Sequence, residues 1–254
     1  MERVIRALDL IARKGPLGVR AVARQLDLPL GSLHRLLLDL EKEGVVARTP
    51  DGEWEMSFRL LEITSYQLGR AELPRLARPF AERLSAVTHE TVNVNVLNGL
   101  EAICIDKVRG NEAMQMDLRI GARGPIYYGG AGKAMLAYLP DDERREVLNG
   151  PLEALTPNTI VDSKALEDEL GRIRRRGYSI DNQEIVLGVY CVAVAVLRGD
   201  GRPVGAISIT GPSPKAPGKA VMPLVKLLSE ACENISRRLG YAGEWPPTAT
   251  ASGR

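Results

Sequence analysis

The stretch GVRAVARQLDLPLGSLHRLLLDLEKEGVV, residues 18–46, decides the fold of the N-terminal part of the chain. Val19, Val22, Ala23 and Leu26 recur on one helical face, and Leu33, Leu36, Leu37 and Leu40 repeat the pattern at i, i+3, i+4 and i+7. Asp27-Leu28-Pro29 breaks the helix between them. Gly31-Ser32 is expected to supply the small and capping residues that restart it, and Gly44 to end it. Two short helices joined by a tight turn form a helix-turn-helix, whose second helix enters the DNA major groove.

The next segment, ARTPDGEWEM, carries Asp51-Gly52 between two strand-like runs, which is a hairpin signal. The spacing therefore predicts a winged helix. Ser32, His34, Arg35 and Asp39 point away from the leucine seam and are the candidates to meet double-stranded operator DNA. Arg35 can fork onto a guanine edge or a phosphate, Ser32 can bond either, and Arg48 at the hairpin base is a phosphate candidate. Charge adds little. Residues 1–40 carry seven Arg and Lys against four acids, residues 41–62 return three net negatives, and the whole chain is only +2. Without a strongly basic footprint, binding must depend on a few placed contacts and on more than one head.

At 254 residues the chain has room for two domains, and 44% hydrophobic with 26% charged residues is ordinary for a globular protein. No apolar run reaches the ~20 residues that a membrane helix needs, and no signal peptide opens the chain. The three cysteines, Cys104, Cys191 and Cys232, are isolated, which suits reduced thiols in the cytoplasm and neither a disulfide frame nor a zinc site. A cytoplasmic protein with no membrane contact is expected.

Residues 2–14 read as a first helix whose stripe, including Ile5, Leu8 and Ile11, is expected to supply a dimer contact where part of it remains uncovered. Residues 1–57 form the winged helix-turn-helix, and residues 58–73 a linker helix ending in a hinge at Glu72-Leu73-Pro74. Residues 74–241 form a second domain, and residues 242–254 are expected to be a disordered tail. A helix over 75–88 opens the second domain. From Thr91 the period changes to two: TVNVNVL, Asn98-Gly99 and EAICIDKV read as a hairpin, and AMQMDLRI as a third strand. A glycine-rich stretch leads into the helix GKAMLAYL, followed by helices at 141–148 and 163–176. Strands at GYSID, VYCVAVAVL and PVGAISIT and a helix over about 219–239 close the fold. Antiparallel strands with helices before, inside and after them predict an α+β domain on a central antiparallel sheet, GAF- or PAS-like and not doubly wound.

GGAGKA lacks the spacing of a phosphate loop, which would require glycine at Tyr127 and Ser or Thr at Ala134. With His34 on the reading helix, only His89 remains to serve any nucleophile, and no triad, HExxH or Cys/His cluster surrounds it. No cofactor, no metal and no catalytic residue is expected.

Several segments together resemble the IclR-type bacterial transcriptional regulators over roughly residues 2 to 241. These are LDLPLGSLHRLLLDLEKEGVV, GPIYYGGAGKAMLAYLP, LTPNTIVDSKALEDELGRIRRRGYSIDNQEIVLGVYCVAVAV and GAISITGP, in the family's order. The resemblance implies a winged-helix reader joined by a helix to an effector-binding and oligomerisation domain, in homodimers or homotetramers. It places the effector site at the turn of Gly130 and Ala131, at Asp181, at Cys191 and at the hydroxyls of Ser208 and Thr210, with Met116, Leu118 and Tyr127 as pocket walls. The chain departs from the family at Tyr190 (usually Arg), Val194-Ala195 (Ala-Pro), Gly129 (Thr or Ser) and Leu30 (Lys or Arg).

The N–H groups that open the GKA helix would seat an anion, and Ser208 and Thr210, two apart on a strand, share one face. The expected function is a ligand-responsive repressor or activator of a catabolic operon, sensing a small organic acid. The alternative is a small-acid-converting enzyme domain, a hydrolase, fused to a DNA reader.

Overall fold

The computed structural model describes residues 1–110, 119–212 and 221–247. The chain divides into two compact units, Met1–Ala71 and Glu72–Arg254.

The first unit runs α1 (Glu2–Lys14), α2 (Val19–Leu26), α3 (Leu30–Lys42), β1 (Val46–Arg48), β2 (Trp54–Met56) and α4 (Arg59–Arg70). Its core takes Ala7, Leu8 and Ile11 from α1, Val22, Ala23 and Leu26 from α2, Leu33 and Leu37 from α3, and Val46 and Trp54 from the hairpin. Each large side chain buried there contributes about 1.5–3 kcal/mol. Two details differ from the expectation. The turn between α2 and α3 is made by Asp27 in the left-handed conformation, φ 53°, while Gly31 and Ser32 lie inside the first turn of α3, which follows Pro29 with no side-chain cap. The stripe of α1 is also divided: Leu8 and Ile11 are spent on the core, and of the three only Ile5 is exposed.

The hairpin pairs Val46 with Met56 and Arg48 with Trp54. Leu17 and Trp54 exchange two backbone hydrogen bonds of 2.9 Å, so the hairpin gains a third short partner.

The second unit runs α5 (Glu72–Thr88), β3 (Thr91–Asn98), β4 (Glu101–Val108), β5 (Arg123–Pro125), α6 (Gly130–Leu136), α7 (Asp141–Asn149), α8 (Ser163–Arg176), β6 (Ser179–Asn182), β7 (Val189–Leu197), β8 (Pro203–Pro212) and α9 (Met222–Arg238). One antiparallel sheet runs in the order β5-β4-β3-β8-β7-β6. This is the expected α+β architecture. The expected hinge is displaced: Glu72, Leu73 and Pro74 form the first turn of α5, and Leu73 is buried in the sheet core. Of the expected strand AMQMDLRI, residues 113–118 lie outside the described residues, and Arg119 and Ile120 are not in a strand.

The period of two sorts the sheet's side chains. Val92 and Val94 of β3, Val192, Val194 and Val196 of β7 and Ile207 and Ile209 of β8 pack on α5 and α9. Ala193 and Ala195 of β7 and Ala206 of β8 lie on the opposite face, under α6 and α8. Asn93, Asn95, Cys191, Ser208 and Thr210 alternate with the first set and so share this second face.

The expected disordered tail is a partial correction. Trp245 packs on the core of the second unit, its Nε1–H donates to Ser229 Oγ at 2.8 Å, and Pro247 is buried. Residues 248–254 lie outside the described residues.

Candidate functional site

The first candidate surface is the outer face of α3. Because Leu33 and Leu37 turn inward, Ser32, His34, Arg35 and Asp39 are all exposed. Arg35 makes no ion pair or side-chain hydrogen bond within the described residues, so its five N–H donors are available to a nucleic acid. Arg48 is less free. Its guanidinium lies 4.3 Å from the Trp54 ring centroid and 3.3 Å from Glu41, and a phosphate must compete with Glu41 for it. His34 meets Trp54 edge-on, with centroids 6.5 Å apart.

The second candidate is a cavity of about 150 Å³ in the second unit, between the start of α6 and the polar face of the sheet. Gly130, Ala131, Asp181, Cys191, Ser208 and Thr210 all line it. Four separated segments are thus brought to one place. Strand register does part of this work: Asp181 pairs with Cys191, Cys191 with Thr210, and Asn93 with Ser208. Tyr127 does not line the cavity. It is held in the core under α6, where its hydroxyl donates to the Glu153 carbonyl at 3.1 Å and accepts from the Glu153 N–H at 2.9 Å. Its neighbour Tyr128 takes the expected wall position. Met116 and Leu118 lie outside the described residues.

Sequence reasoning missed several members. Asn93 and Asn95, both buried, extend the polar wall; the signal was their period-two spacing beside Ser208 and Thr210. Arg123 also lines the cavity and is paired with Glu101. Behind α6 lies a buried charge cluster. Lys133 is paired with Glu184 and donates to the Ile180 carbonyl at 2.8 Å. Glu184 accepts the Gly129 N–H at 3.2 Å, and its own N–H donates to Asp181 Oδ1 at 2.6 Å. Glu184 therefore already occupies the first N–H before α6, leaving those of Gly130 and Ala131, which have no acceptor within their own helix.

Burial pushes the Asp181 carboxyl up to about 6, reinforced by the nearby Glu184 charge and opposed by the Glu184 N–H and by Lys133. Burial likewise pushes the Cys191 thiol up to about 12, against hydrogen bonds from Thr210 and Ser208. The sulfur is therefore a protonated wall group near neutral pH and not a nucleophile. Among the described residues no group of three His, Cys, Asp or Glu side chains is placed to hold a metal ion, and no helix is long and apolar enough to cross a membrane.

A winged helix-turn-helix with an exposed reading face, carried on one chain with an α+β unit that holds a small cavity into which several polar side chains converge, defines a ligand-responsive DNA-binding regulator. The chain belongs to the IclR family of bacterial transcriptional regulators. Residues 1–50 match the IclR helix-turn-helix domain, and residues 66–237 match the bacterial transcriptional regulator IclR C-terminal domain. It is similar to the HTH-type transcriptional repressor AllR of Klebsiella pneumoniae, 35% identical over 243 residues covering 94% of this chain and 89% of that protein. The AllR of Escherichia coli K12 is 32% identical, covering 94% and 90%.

Among solved structures, the Thermotoga maritima IclR superimposes with a TM-score of 0.81 at 32% identity, covering 94% of this chain and 98% of that one. An IclR homologue from Microbacterium hydrocarbonoxydans, solved as a complex with 4-hydroxybenzoate, has a TM-score of 0.81 at 27% identity, covering 93% and 97%. The protein is thus a DNA-binding transcriptional regulator with a small-molecule effector, and the hydrolase alternative is set aside.

Proposed function

We propose that this regulator acts in the cytoplasm on a catabolic operon, reads a roughly palindromic operator as a homodimer or dimer of dimers, and senses a small organic acid in the cavity under α6. One observation carries the effector site: Gly130, Ala131, Asp181, Cys191, Ser208 and Thr210, drawn from four segments, all line one cavity of about 150 Å³. The expected class is an aromatic or keto-substituted acid, and the complex of the Microbacterium homologue with 4-hydroxybenzoate supports the aromatic member of that pair.

The ligand carboxylate sits at the N–H groups of Gly130 and Ala131, where partial positive charge is unspent. Its second polar group meets the wall of Asp181, Ser208 and Thr210. An ionised Asp181 beside an unbalanced carboxylate is unfavourable, because Lys133 is already neutralised by Glu184. Binding of an acid is therefore accompanied by proton uptake at Asp181. On the DNA side, Ser32, His34, Arg35 and Asp39 meet the major groove, and Arg48 a phosphate. The effector changes operator affinity only to the extent that it binds one arrangement of the reading heads more tightly than another.

A thermal-shift screen of small keto, hydroxy and aromatic acids, followed by calorimetry on Ser208→Ala and Asp181→Ala, tests the site. Both variants should bind the hit at least about fivefold more weakly than wild type. Wild-type affinity in both would misplace the cavity.

A further inference from the structure

Among the described residues, the cavity wall contains one buried side-chain polar atom with no hydrogen-bond partner. Asn93 is 1% exposed and lines the cavity. Its Nδ2 donates to Thr210 Oγ1 at 3.2 Å, while its Oδ1 has no partner among the described residues. Two other buried side-chain oxygens share that condition, on Tyr138 and Ser179, and neither residue lines the cavity.

Thr210 Oγ1 accepts from the Asn93 amide, and no side-chain or backbone donor among the described residues reaches Oδ1. Leaving a buried acceptor unmet costs about 1–3 kcal/mol, a cost removed by anything that enters with a donor.

We infer that Asn93 is an effector-contacting residue, and that the effector carries an N–H or O–H donor opposite its carboxylate. The inference rests on the proposed effector cavity under α6. It narrows the ligand class from small acids in general to acids bearing an amide, amine or hydroxyl. An acid ending in a methyl group would leave Oδ1 buried and unmet, and this loss sets the specificity. The signal lies in β3 itself. In Val92-Asn93-Val94-Asn95 the valines face the core and the asparagines face the cavity.

Isosteric acids that exchange a donor for a methyl group test this directly. Calorimetry on the full chain at pH 7.5 compares oxamate with pyruvate, and 4-aminobenzoate with 4-methylbenzoate. In the pair that fits, wild type should favour the donor-bearing acid by about tenfold. In Asn93→Leu the preference should fall to about twofold or less, through loss of the donor-bearing acid alone. Equal affinities in wild type, or a preference that survives Asn93→Leu, would overturn the role of Asn93 while the cavity itself stands. No binding of any of the four to wild type would remove the acid site, and the inference with it. If Asn93→Leu fails to fold, the wild-type comparison alone decides.

Discussion

Gly130 lies so close to Cys191 that a Cβ added to it would stand 2.7 Å from the sulfur and 3.3 Å from the Ala193 Cβ. The first residue of α6 thus rests directly on β7, and a side chain there must push the helix off the sheet or displace the thiol. Gly130→Val should lose effector binding by at least about tenfold and cost about 1–3 kcal/mol of stability through overpacking. Calorimetry and thermal melting check the two parts. A variant that melts and binds like wild type would mean that α6 has slack which this packing denies.

Arg35→Ala should weaken operator binding by about 1–3 kcal/mol if the guanidinium is bidentate to a base. Arg35 is exposed on α3 and engaged by no protein acceptor among the described residues, so its removal leaves the fold intact. Titration at fixed salt against the operator and against a scrambled duplex separates two roles: loss confined to the operator marks base readout, equal loss on both a phosphate contact. Unchanged affinity on both would remove Arg35 from the interface.

Asp181 gives the stability a pH dependence of defined sign. Its folded carboxyl is pushed up to about 6 from an ordinary 3.8. The folded state therefore holds this proton more tightly than the unfolded chain does. Its contribution to stability is fully present below the ordinary Asp range and is lost as pH rises through about 6. Asp181→Asn, which keeps an acceptor for the Glu184 N–H, should stabilise the protein by on the order of 1–3 kcal/mol at pH 7.5 and by little at pH 3.5. Denaturant melts at the two pH values measure this; an equal effect at both would assign the change to packing.

The same proton should appear in ligand binding. Calorimetry of the acid effector in buffers of different ionisation heat should show uptake of a fraction of a proton at pH 7.5, and tighter binding at pH 5.5. No uptake, with equal affinity at both pH values, would mean that the carboxylate lies away from Asp181.

A single reading helix covers only a few base pairs, so tight specific binding requires at least two heads. The stripe of α1 contributes little to such an assembly, since Leu8 and Ile11 are buried, whereas Ile5, Phe58, Leu61 and Ile63 remain exposed in the first unit. Light scattering should show a dimer or larger at micromolar concentration, and Leu61→Glu with Ile63→Glu should shift it toward monomer. An unchanged mass would place the assembly contact elsewhere.

Much of this was legible in the sequence because periodicity reports burial. The leucines of α3 separated its inner face from Ser32, His34, Arg35 and Asp39, and the valines of β3 and β7 marked strands. What periodicity cannot report is which polar face is covered. The alternation of Val92-Asn93-Val94-Asn95 marks a strand with two faces but not that Asn93 and Asn95 are buried in the wall of the cavity. Tyr127 and Tyr128 stand in a turn, where no period says which ring turns inward. Glu72-Leu73-Pro74 read as a hinge because proline breaks helices, yet proline is tolerated in a first turn, where the missing N–H has no acceptor to lose. Asp27 showed its helix-ending role only through its left-handed backbone, a conformation that Asp tolerates better than most residues.

Occupation of the cavity under α6 is expected to change how α3 holds DNA. The most direct test is fluorescence anisotropy on an operator selected in vitro with the wild-type protein, titrated with the acid that most raises its melting temperature. Wild type should change operator affinity by about fivefold or more. Ser208→Leu, which fills the cavity, should bind the same operator without responding, and Arg35→Ala should bind it weakly with or without the acid. A full response in Ser208→Leu, or an operator affinity in wild type that no cavity-binding acid alters, would contradict this coupling.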